Sequence, residues 1–244
     1  MGQLVTGWGL DTGFQNATLT EGSAGSFSTT TPTGNAGARA ILPSVYGFAN
    51  VGDSILLTGS VSFVNTLGNQ QFRFGLFNNN GNALGTLAGG LWTGATTAGW
   101  LGYLVEPGNA GGSTALYGRN GTGANAWLST SGAAYNINQN PTTVSMAPGT
   151  YAFSLALTRD SATSVSIQYS VIGSAFNSSG TYEDIGGLSS GITSFDTVGF
   201  LLNGSTGAGT FTGVSVSLVP EPSTFALAGL GLSAIAGFAR RRKV

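Results

Sequence analysis

The side chains of this chain that are best suited to acid–base chemistry are a few carboxylates. The 244-residue sequence contains neither histidine nor cysteine, which excludes Ser-His-Asp and Cys-His catalysis, disulfide bonds and the usual zinc sites. Glycoside hydrolysis needs only two carboxyl groups, about 5 to 9.5 Å apart. The carboxylates that such a reaction would draw on are Glu106, Asp160, Glu183 and Asp184.

None of these carboxylates has the spacing of a catalytic pair. Glu183 and Asp184 are adjacent, and adjacent side chains on a strand point to opposite faces of the sheet. Glu106 precedes Pro107-Gly108 and is predicted to be a turn residue, while Asp160 begins a predicted connection between two strands. We therefore expect no enzyme activity. The alternative is a catalytic pair assembled from carboxylates that are distant in the sequence.

A group of aromatic and polar residues in the middle of the chain suits carbohydrate binding. Aromatic rings pack under sugar faces, and arginine and asparagine form hydrogen bonds with sugar hydroxyls. The predicted glycan-binding residues are Trp92, Trp100, Tyr103, Tyr117, Arg119, Asn120 and Trp127. The alternative is that most of these rings belong to the hydrophobic core, because buried rings supply much of the stability of a β-sandwich.

The charge and composition of the chain exclude other ligands. Residues 1–219 carry four arginines and eight acidic residues, a net charge of −4, so they contain no basic stripe for nucleic acid and no polybasic membrane patch. Residues 78–82 offer only neutral amides, which are poor calcium ligands, and the turn of a β-hairpin is predicted there instead. We expect neither a metal nor a cofactor.

Alternating apolar residues predict an all-β fold for the body of the chain. Ile55, Leu57, Val61 and Phe63 follow the period of two that is typical of a half-buried strand. Similar runs predict strands at 72–76, 100–105, 151–157, 165–171, 195–202 and 211–218. The runs at 151–157 and 165–171 are predicted to be antiparallel neighbours. Before residue 220 no segment shows helical periodicity, so a sandwich or jelly roll is expected.

The last 25 residues differ from the rest of the chain. Pro220-Glu221-Pro222 leads through Ser223-Thr224 into the uncharged stretch 225–239, which ends at the basic cluster 240–243, and this cluster holds half of all lysines and arginines. From Pro222 onward a helix to residue 239 is about 27 Å long, close to the roughly 30 Å of a bilayer core. A membrane-spanning helix over 223–239 with its basic end in the cytoplasm is therefore predicted.

This tail resembles the PEP-CTERM sorting signal of Gram-negative bacteria. The resemblance covers the triplet Pro220-Glu221-Pro222, the Gly/Ala/Leu-rich span and the terminal arginines Arg240, Arg241 and Arg242, in the order and at the spacing of that family. It implies processing by an exosortase, a membrane-embedded cysteine protease that cuts near the triplet and releases or transfers the ectodomain. It also implies transport to the outer surface or the exopolysaccharide matrix. The alternative is a simple membrane anchor.

The body resembles the concanavalin A-like jelly rolls that precede this sorting signal in other proteins. The resemblance rests on the strand 72–78 with its Asn/Gly turn, the strand 100–103 and the final strands 195–200 and 213–218. It implies an antiparallel β-sandwich. Hydrolases of this fold carry a Glu-x-Asp-x-x-Glu strand, which this sequence lacks, so the resemblance argues against that hydrolase activity and leaves glycan binding open.

These observations predict an extracytoplasmic β-sandwich over residues 1–219 and a sorting signal over residues 220–244. Residues 1–8 lack the basic and apolar pattern of an export leader, so the expectation of export depends on the tail. The predicted role, after transient anchoring in the inner membrane, is structural or adhesive at the cell surface or in the matrix. The alternative is a non-catalytic module that binds exopolysaccharide. A second copy of the chain is a further expected partner, through strand edges that are poor in charge.

Overall fold

The protein is an all-β structure. A computed structural model describes residues 2–15, 17–30, 36–67, 72–95, 97, 99–107, 115–121, 128, 134–139, 146–173, 176–202 and 208–220. Within these residues the chain forms seventeen strands and no helix. In chain order the strands are β1 (Gln3–Leu4), β2 (Gly9–Gln15), β3 (Thr18–Glu21), β4 (Phe27–Thr30), β5 (Ala36–Gly47), β6 (Ser54–Phe63), β7 (Phe72–Asn78), β8 (Thr86–Ala88), β9 (Leu91–Thr93), β10 (Leu101–Glu106), β11 (Ala115–Asn120), β12 (Ala134–Gln139), β13 (Gly149–Arg159), β14 (Val165–Gly173), β15 (Asn177–Asp184), β16 (Ser194–Leu202) and β17 (Gly209–Val219).

The strands form two sheets that pack as a sandwich. The eight-stranded sheet has the order β15-β14-β13-β6-β17-β4-β3, with β1 beside β17. The nine-stranded sheet has the order β12-β11-β10-β7-β16-β5-β2-β9-β8. All neighbours are antiparallel except β2 and β9, which are parallel. The predicted all-β sandwich is confirmed. The predicted helix 223–239 lies outside the described residues, and within them no helix is long and apolar enough to cross a membrane.

The main core lies between the two sheets and follows the alternation seen in the sequence. Ile55, Leu57, Val61 and Phe63 of β6 are all buried, as predicted. Aromatic rings fill the centre of this core: the Phe27 and Phe211 rings stack with centroids 4.3 Å apart. Such ring pairs add roughly 0.5 to 1.5 kcal/mol each beyond the burial of their area.

Strand pairing confirms one predicted neighbour pair and changes another expectation. β13 and β14 are antiparallel neighbours, in register from Tyr151 opposite Gly173 to Arg159 opposite Val165. Residues 78–82 form the predicted turn, but it does not lead into a hairpin with the next strand. β7 pairs instead with β10 and β16, and β8 and β9 lie between them in the sequence.

Strands β7, β10 and β16, at the centre of the nine-stranded sheet, are buried on both faces. Phe72, Phe74 and Leu76 of β7 face the other sheet, whereas Phe77 belongs to a second hydrophobic cluster. This second cluster consists of Phe77, Trp100, Leu104, Ala115, Tyr117, Leu128 and Leu201. Because side chains alternate along a strand, the second cluster lies on the side of the nine-stranded sheet that faces away from the main core. That side also contains the buried charged side chains of Arg39 and Arg73.

Candidate functional site

A buried arginine lies near two tryptophans, Trp92 and the Trp100 of the second cluster. The Arg39 Nε is 3.1 Å from the Asp11 Oδ2, and the guanidinium carbon is 4.8 Å from the Trp92 ring centre and 5.2 Å from the Trp100 ring centre. The Trp92 Nε1 donates a hydrogen bond to the Arg39 carbonyl oxygen at 3.0 Å. Burial lowers the pKa of Arg39, and the neighbouring Asp11 opposes this shift.

A glycine makes room for this arrangement. Gly9 of β2 is opposite Arg39 of β5, and a Cβ atom at Gly9 would lie 2.8 Å from the Trp92 ring. It would also lie even closer to the Leu87 Cδ1, so any other residue at this position would force the Leu87 or Trp92 side chain to shift. The aromatic rings and the carboxylate together compensate for the burial of a charge, which is costly when the charge is unpaired.

A second buried ion pair joins β7 and β10. The Arg73 Nε is 3.1 Å from the Glu106 Oε2, and the Arg73 Nη1 donates to the Leu128 carbonyl oxygen at 2.8 Å. Burial raises the pKa of Glu106, although Arg73 pulls it down. The expectation that Glu106 is a turn residue was wrong, because it is the last residue of β10 and is completely buried.

The structure separates the residues of the predicted glycan-binding set. Trp100 and Tyr117 lie in the second cluster, whereas Tyr103 belongs to the main core on the opposite face of the sheet. Trp92 and Arg119 are also buried, and burial lowers the pKa of Arg119 to about 10.

Asn120 is the exposed member of the set, and Trp127 lies outside the described residues. The four described aromatic residues of the set are therefore buried, as the core-packing alternative expects, and so is the arginine: Trp92, Trp100, Tyr103, Tyr117 and Arg119. Sugar binding by this set stays a prediction.

Tyr103 takes part in a polar contact between the sheets. Its hydroxyl donates a hydrogen bond to the Asp184 Oδ2 at 3.0 Å, and the Tyr135 hydroxyl donates to the same oxygen at 2.5 Å. Asp184 ends β15 of the eight-stranded sheet, whereas both tyrosines belong to the nine-stranded sheet. Burial, followed by the proximity of Asp184, raises the pKa of Tyr103 above its usual value. Both phenols therefore stay protonated and can keep donating at neutral pH.

The remaining candidate carboxylates are Asp160, Glu183 and Asp184, and burial followed by the nearby Glu183 raises the pKa of Asp160. Glu183 is exposed while Asp184 is buried, as the alternation along β15 predicted. Asp160 lies in the connection between β13 and β14, also as predicted. In the part of the chain that the structure describes, no three acidic residues come together in a group that would hold a metal ion.

The turn after β7 is held by its own asparagines. The Asn80 amide N–H donates to the Asn78 Oδ1 at 2.7 Å, and the Gly81 N–H donates to the Asn79 Oδ1 at 3.0 Å. Asn80 has a φ of 52°, a left-handed conformation that asparagine tolerates. The Asn80 Nδ2 donates to the Gly99 carbonyl oxygen at 3.3 Å, which links this turn to the segment before β10.

The end of the described chain leads directly into the predicted sorting signal. β17 stays paired with β6 to its last residue, Val219, which is opposite Ser54. Pro220 follows immediately. Glu221, Pro222, Arg240, Arg241 and Arg242 lie outside the described residues.

Residues 218–243 match a known family, the PEP-CTERM protein-sorting motif. The chain therefore carries this motif, as the triplet and the basic cluster predicted. The motif implies export, anchoring in a membrane before cleavage, and processing by an exosortase. The match begins inside β17, so the motif and the folded body share Leu218 and Val219.

Several solved structures are similar to the sandwich. The carbohydrate recognition domain of Emp46p is 15% identical over 83% of this chain and 87% of that chain, with a TM-score of 0.42. Lectin II from Ulex europaeus is 13% identical over 84% and 94%, with a TM-score of 0.43. A mutant of the alginate lyase Aly36B with a bound alginate tetrasaccharide is 10% identical over 89% and 92%, with a TM-score of 0.39. No curated protein sequence matches the chain significantly. None of these similarities assigns an activity to the chain.

Proposed function

We propose that the chain is an exported protein that an exosortase processes and that then has a structural or adhesive role at the cell surface or in the extracellular matrix. Residues 1–219 form its extracytoplasmic sandwich, and residues 220–244 form its sorting signal. Within the signal, residues 223–239 span the inner membrane transiently and residues 240–243 stay in the cytoplasm. The observation that carries this proposal is the PEP-CTERM motif at residues 218–243.

The geometry of β17 gives this proposal a physical constraint. Val219 is still paired with Ser54, and the apolar stretch begins at Phe225, six residues later. Six residues span at most about 20 Å. Before cleavage, the end of the sandwich that contains Val219 therefore lies close to the membrane surface. Cleavage near the triplet removes this restriction and leaves the strands of the sandwich intact.

The outward face of the eight-stranded sheet supports a structural role. Serine and threonine side chains pair across neighbouring strands on this face, as in Ser62 with Thr150 at 2.8 Å and Ser154 with Ser170 at 2.7 Å. Of the residues that the described strands direct to this face, only Glu183 is charged. A broad neutral surface of this kind suits contacts with other neutral surfaces, because little charge has to be desolvated.

The sorting step can be tested in a host that contains an exosortase. The full chain, supplied with an export leader, is compared with a variant in which Pro220, Glu221 and Pro222 are replaced by alanine. Pro148→Ala, an exposed proline of the body, is the matched control. We expect the wild type and the control to be processed and the triplet variant to stay in the inner membrane. Identical processing and location of all three proteins contradict the proposal.

Binding of exopolysaccharide is the second candidate function, and it is supported by an amide-rich rim. Asn80 and Asn120 are exposed at the same end of the nine-stranded sheet, where the Asn80 side chain lies beside Gly99 and Gly121. Amides donate to and accept from sugar hydroxyls. A glycan array that compares the wild type with Asn80→Ala and Asn120→Ala tests this function. Weaker binding of the variants supports it, and blank arrays for all three proteins exclude it for the glycans on the array.

A further inference from the structure

Strand β15 is an edge strand whose first six residues, 177–182, carry no charge, proline or bulge. Among the described strands it pairs only with β14, at the end of the eight-stranded sheet. Its register with β14 runs without a bulge from Ile172 opposite Asn177 to Val165 opposite Asp184. The strand, Asn-Ser-Ser-Gly-Thr-Tyr-Glu-Asp, contains no proline, and its two charged residues, Glu183 and the inward-pointing Asp184, lie at its end. Natural edge strands usually carry such residues or bulges to prevent pairing with another chain.

The hydrogen bonds of the β14–β15 hairpin define which backbone groups face the free edge. The Gly173 N–H donates to the carbonyl oxygen of Phe176, which lies directly opposite in the register of the two strands, at 2.9 Å. In an antiparallel pair, hydrogen-bonded and non-hydrogen-bonded residues alternate. Counting from Phe176, the residues that direct their N–H and C=O groups away from β14 are Asn177, Ser179, Thr181 and Glu183.

The side chains of the same four residues are exposed. Asn177, Ser179, Thr181 and Glu183 lie on the outward face of the sheet, next to the serine and threonine pairs of β13 and β14. Within the part of the chain that the structure describes, the edge therefore offers four unpaired backbone positions together with four small or polar side chains. A strand added here would continue both the hydrogen-bond ladder and the hydroxyl surface.

We propose that β15 pairs antiparallel with β15 of a second copy of the chain, about a two-fold axis at Gly180. In this register Ser179 is opposite Thr181 of the second copy, and Asn177 is opposite Glu183 of the second copy. Each of the four outward-directed residues then exchanges two backbone hydrogen bonds, so the interface contains about eight. The contact is isologous, as in most homodimers. This inference rests on the proposed structural role and names its partner.

The pattern of side chains favours this register over its alternatives. Directly opposite residues point to the same face. The two-fold axis therefore has to place one residue opposite the same residue of the second copy, and it cannot place a residue opposite the next residue along the strand. An axis at Thr181 would place Asn177 opposite the apolar Ile185 and Ser179 opposite Glu183. A parallel pairing in register would place the Glu183 carboxylates side by side, which is destabilising. With the axis at Gly180, each Glu183 is opposite an amide, and the two carboxylates lie at opposite ends of the interface.

The absence of cysteine from the sequence allows a clean crosslinking test. The full chain is prepared in detergent as two single variants, Ser179→Cys and Thr181→Cys, and each is oxidised mildly, alone and mixed with the other. In the proposed register residues 179 and 181 of different copies are about 5.5 Å apart at Cα, within the range of a disulfide. Thr210→Cys, an exposed residue of the interior strand β17, is the control.

We expect a disulfide-linked dimer in the mixture and none from either variant alone or from the control. A dimer from Thr181→Cys alone would show the axis at Thr181 and overturn the register. No dimer in any sample would overturn the pairing of β15.

A second pair of variants tests the unlinked contact. Thr181→Pro removes an N–H that points to the free edge and is not used by β14, whereas Thr181→Val keeps this N–H. In sedimentation of the full chain in detergent, we expect the proline variant to lose the dimer and the valine variant to keep it. A dimer that persists in Thr181→Pro contradicts the inference. A monomeric wild type that is sorted normally overturns this inference alone, whereas a dimer that fails to be sorted overturns the proposed function alone.

Discussion

The carboxylate of Asp184 accepts a hydrogen bond from the Tyr103 hydroxyl at 3.0 Å, and this contact joins the two sheets of the sandwich. Tyr135 donates to the same oxygen. Asp184 and Tyr103 are both buried. This polar contact lies beside the hydrophobic core, and a second one between the sheets joins the Tyr46 hydroxyl to the Gln3 Oε1 at 3.2 Å.

We expect Tyr103→Phe to lower the free energy of unfolding by about 2 kcal/mol, because a hydrogen bond to a buried carboxylate is lost while the ring is kept. Tyr169→Phe is the matched control, since the Tyr169 hydroxyl has a neutral partner, Ser178, at 3.4 Å. Tyr169→Phe should lower the free energy of unfolding by clearly less. Urea unfolding of the wild type and both variants measures the difference. Equal losses of unfolding free energy would show that the bond to the carboxylate stabilises the protein no more than the bond to Ser178.

The same contact predicts how stability changes at alkaline pH. Burial and Asp184 raise the pKa values of Tyr103 and Tyr135 in the folded protein, whereas phenols of the unfolded chain ionise near pH 10. Above about pH 10 the unfolded state therefore binds fewer protons than the folded state, and stability falls as pH rises. Each phenol contributes a slope of about 1.4 kcal/mol per pH unit. Unfolding in urea between about pH 9 and about pH 11 should show a shallower fall for the double variant Tyr103→Phe/Tyr135→Phe; an unchanged slope would contradict this explanation.

Glu106→Gln separates a structural role of this carboxylate from a catalytic one. The substitution removes the charge that balances the buried Arg73, which should cost about 3 kcal/mol of stability. Glu183→Gln, on the exposed face of β15, should leave the unfolding midpoint unchanged. Urea unfolding and an assay of polysaccharide hydrolysis on both variants are the measurements. Hydrolysis by the wild type that Glu106→Gln abolishes at unchanged stability would support the enzyme alternative instead.

Substitution of Trp100 should lower the stability of the protein, whereas substitution of Asn120 should not. Trp100 is completely buried against Arg39, so Trp100→Ala should cost about 4 kcal/mol through the cavity it leaves. Asn120 is exposed, and Asn120→Ala should unfold at the wild-type midpoint. Thermal unfolding followed by circular dichroism compares the two. If both variants are as stable as the wild type, the burial of Trp100 does not stabilise the protein.

The strands of this fold are readable from the sequence, but the second buried face is not. Ile55 and Leu57 alternate with small or polar residues, and both were placed correctly in the core. Arg73 lies between Phe72 and Phe74, and local alternation alone puts its charge in solvent. It is buried because the second cluster covers that face, and its partner Glu106 is 33 residues away in the sequence. Such pairing depends on strand order, which no local pattern contains.

The predicted glycan-binding set shows the same difficulty. Tyr103 and Tyr117 are close in the sequence and were grouped together, yet they lie on opposite faces of the sheet. The register explains this, because Leu104 and not Tyr103 is opposite Tyr117. The PEP-CTERM motif, by contrast, was predicted correctly from the sequence, since its information lies in a continuous stretch of residue types and not in contacts between distant residues.

The most direct test of the account is the intact mass of the protein that leaves the inner membrane. The full chain is expressed with an export leader in a host that contains an exosortase, and in the same host without the exosortase gene. We expect a released protein that has lost Phe225 to Val244 and ends near Pro220-Glu221-Pro222, and we expect it only when the exosortase is present. A protein that leaves the membrane with the mass of the uncut tail, or that is cut equally without the exosortase, would contradict it.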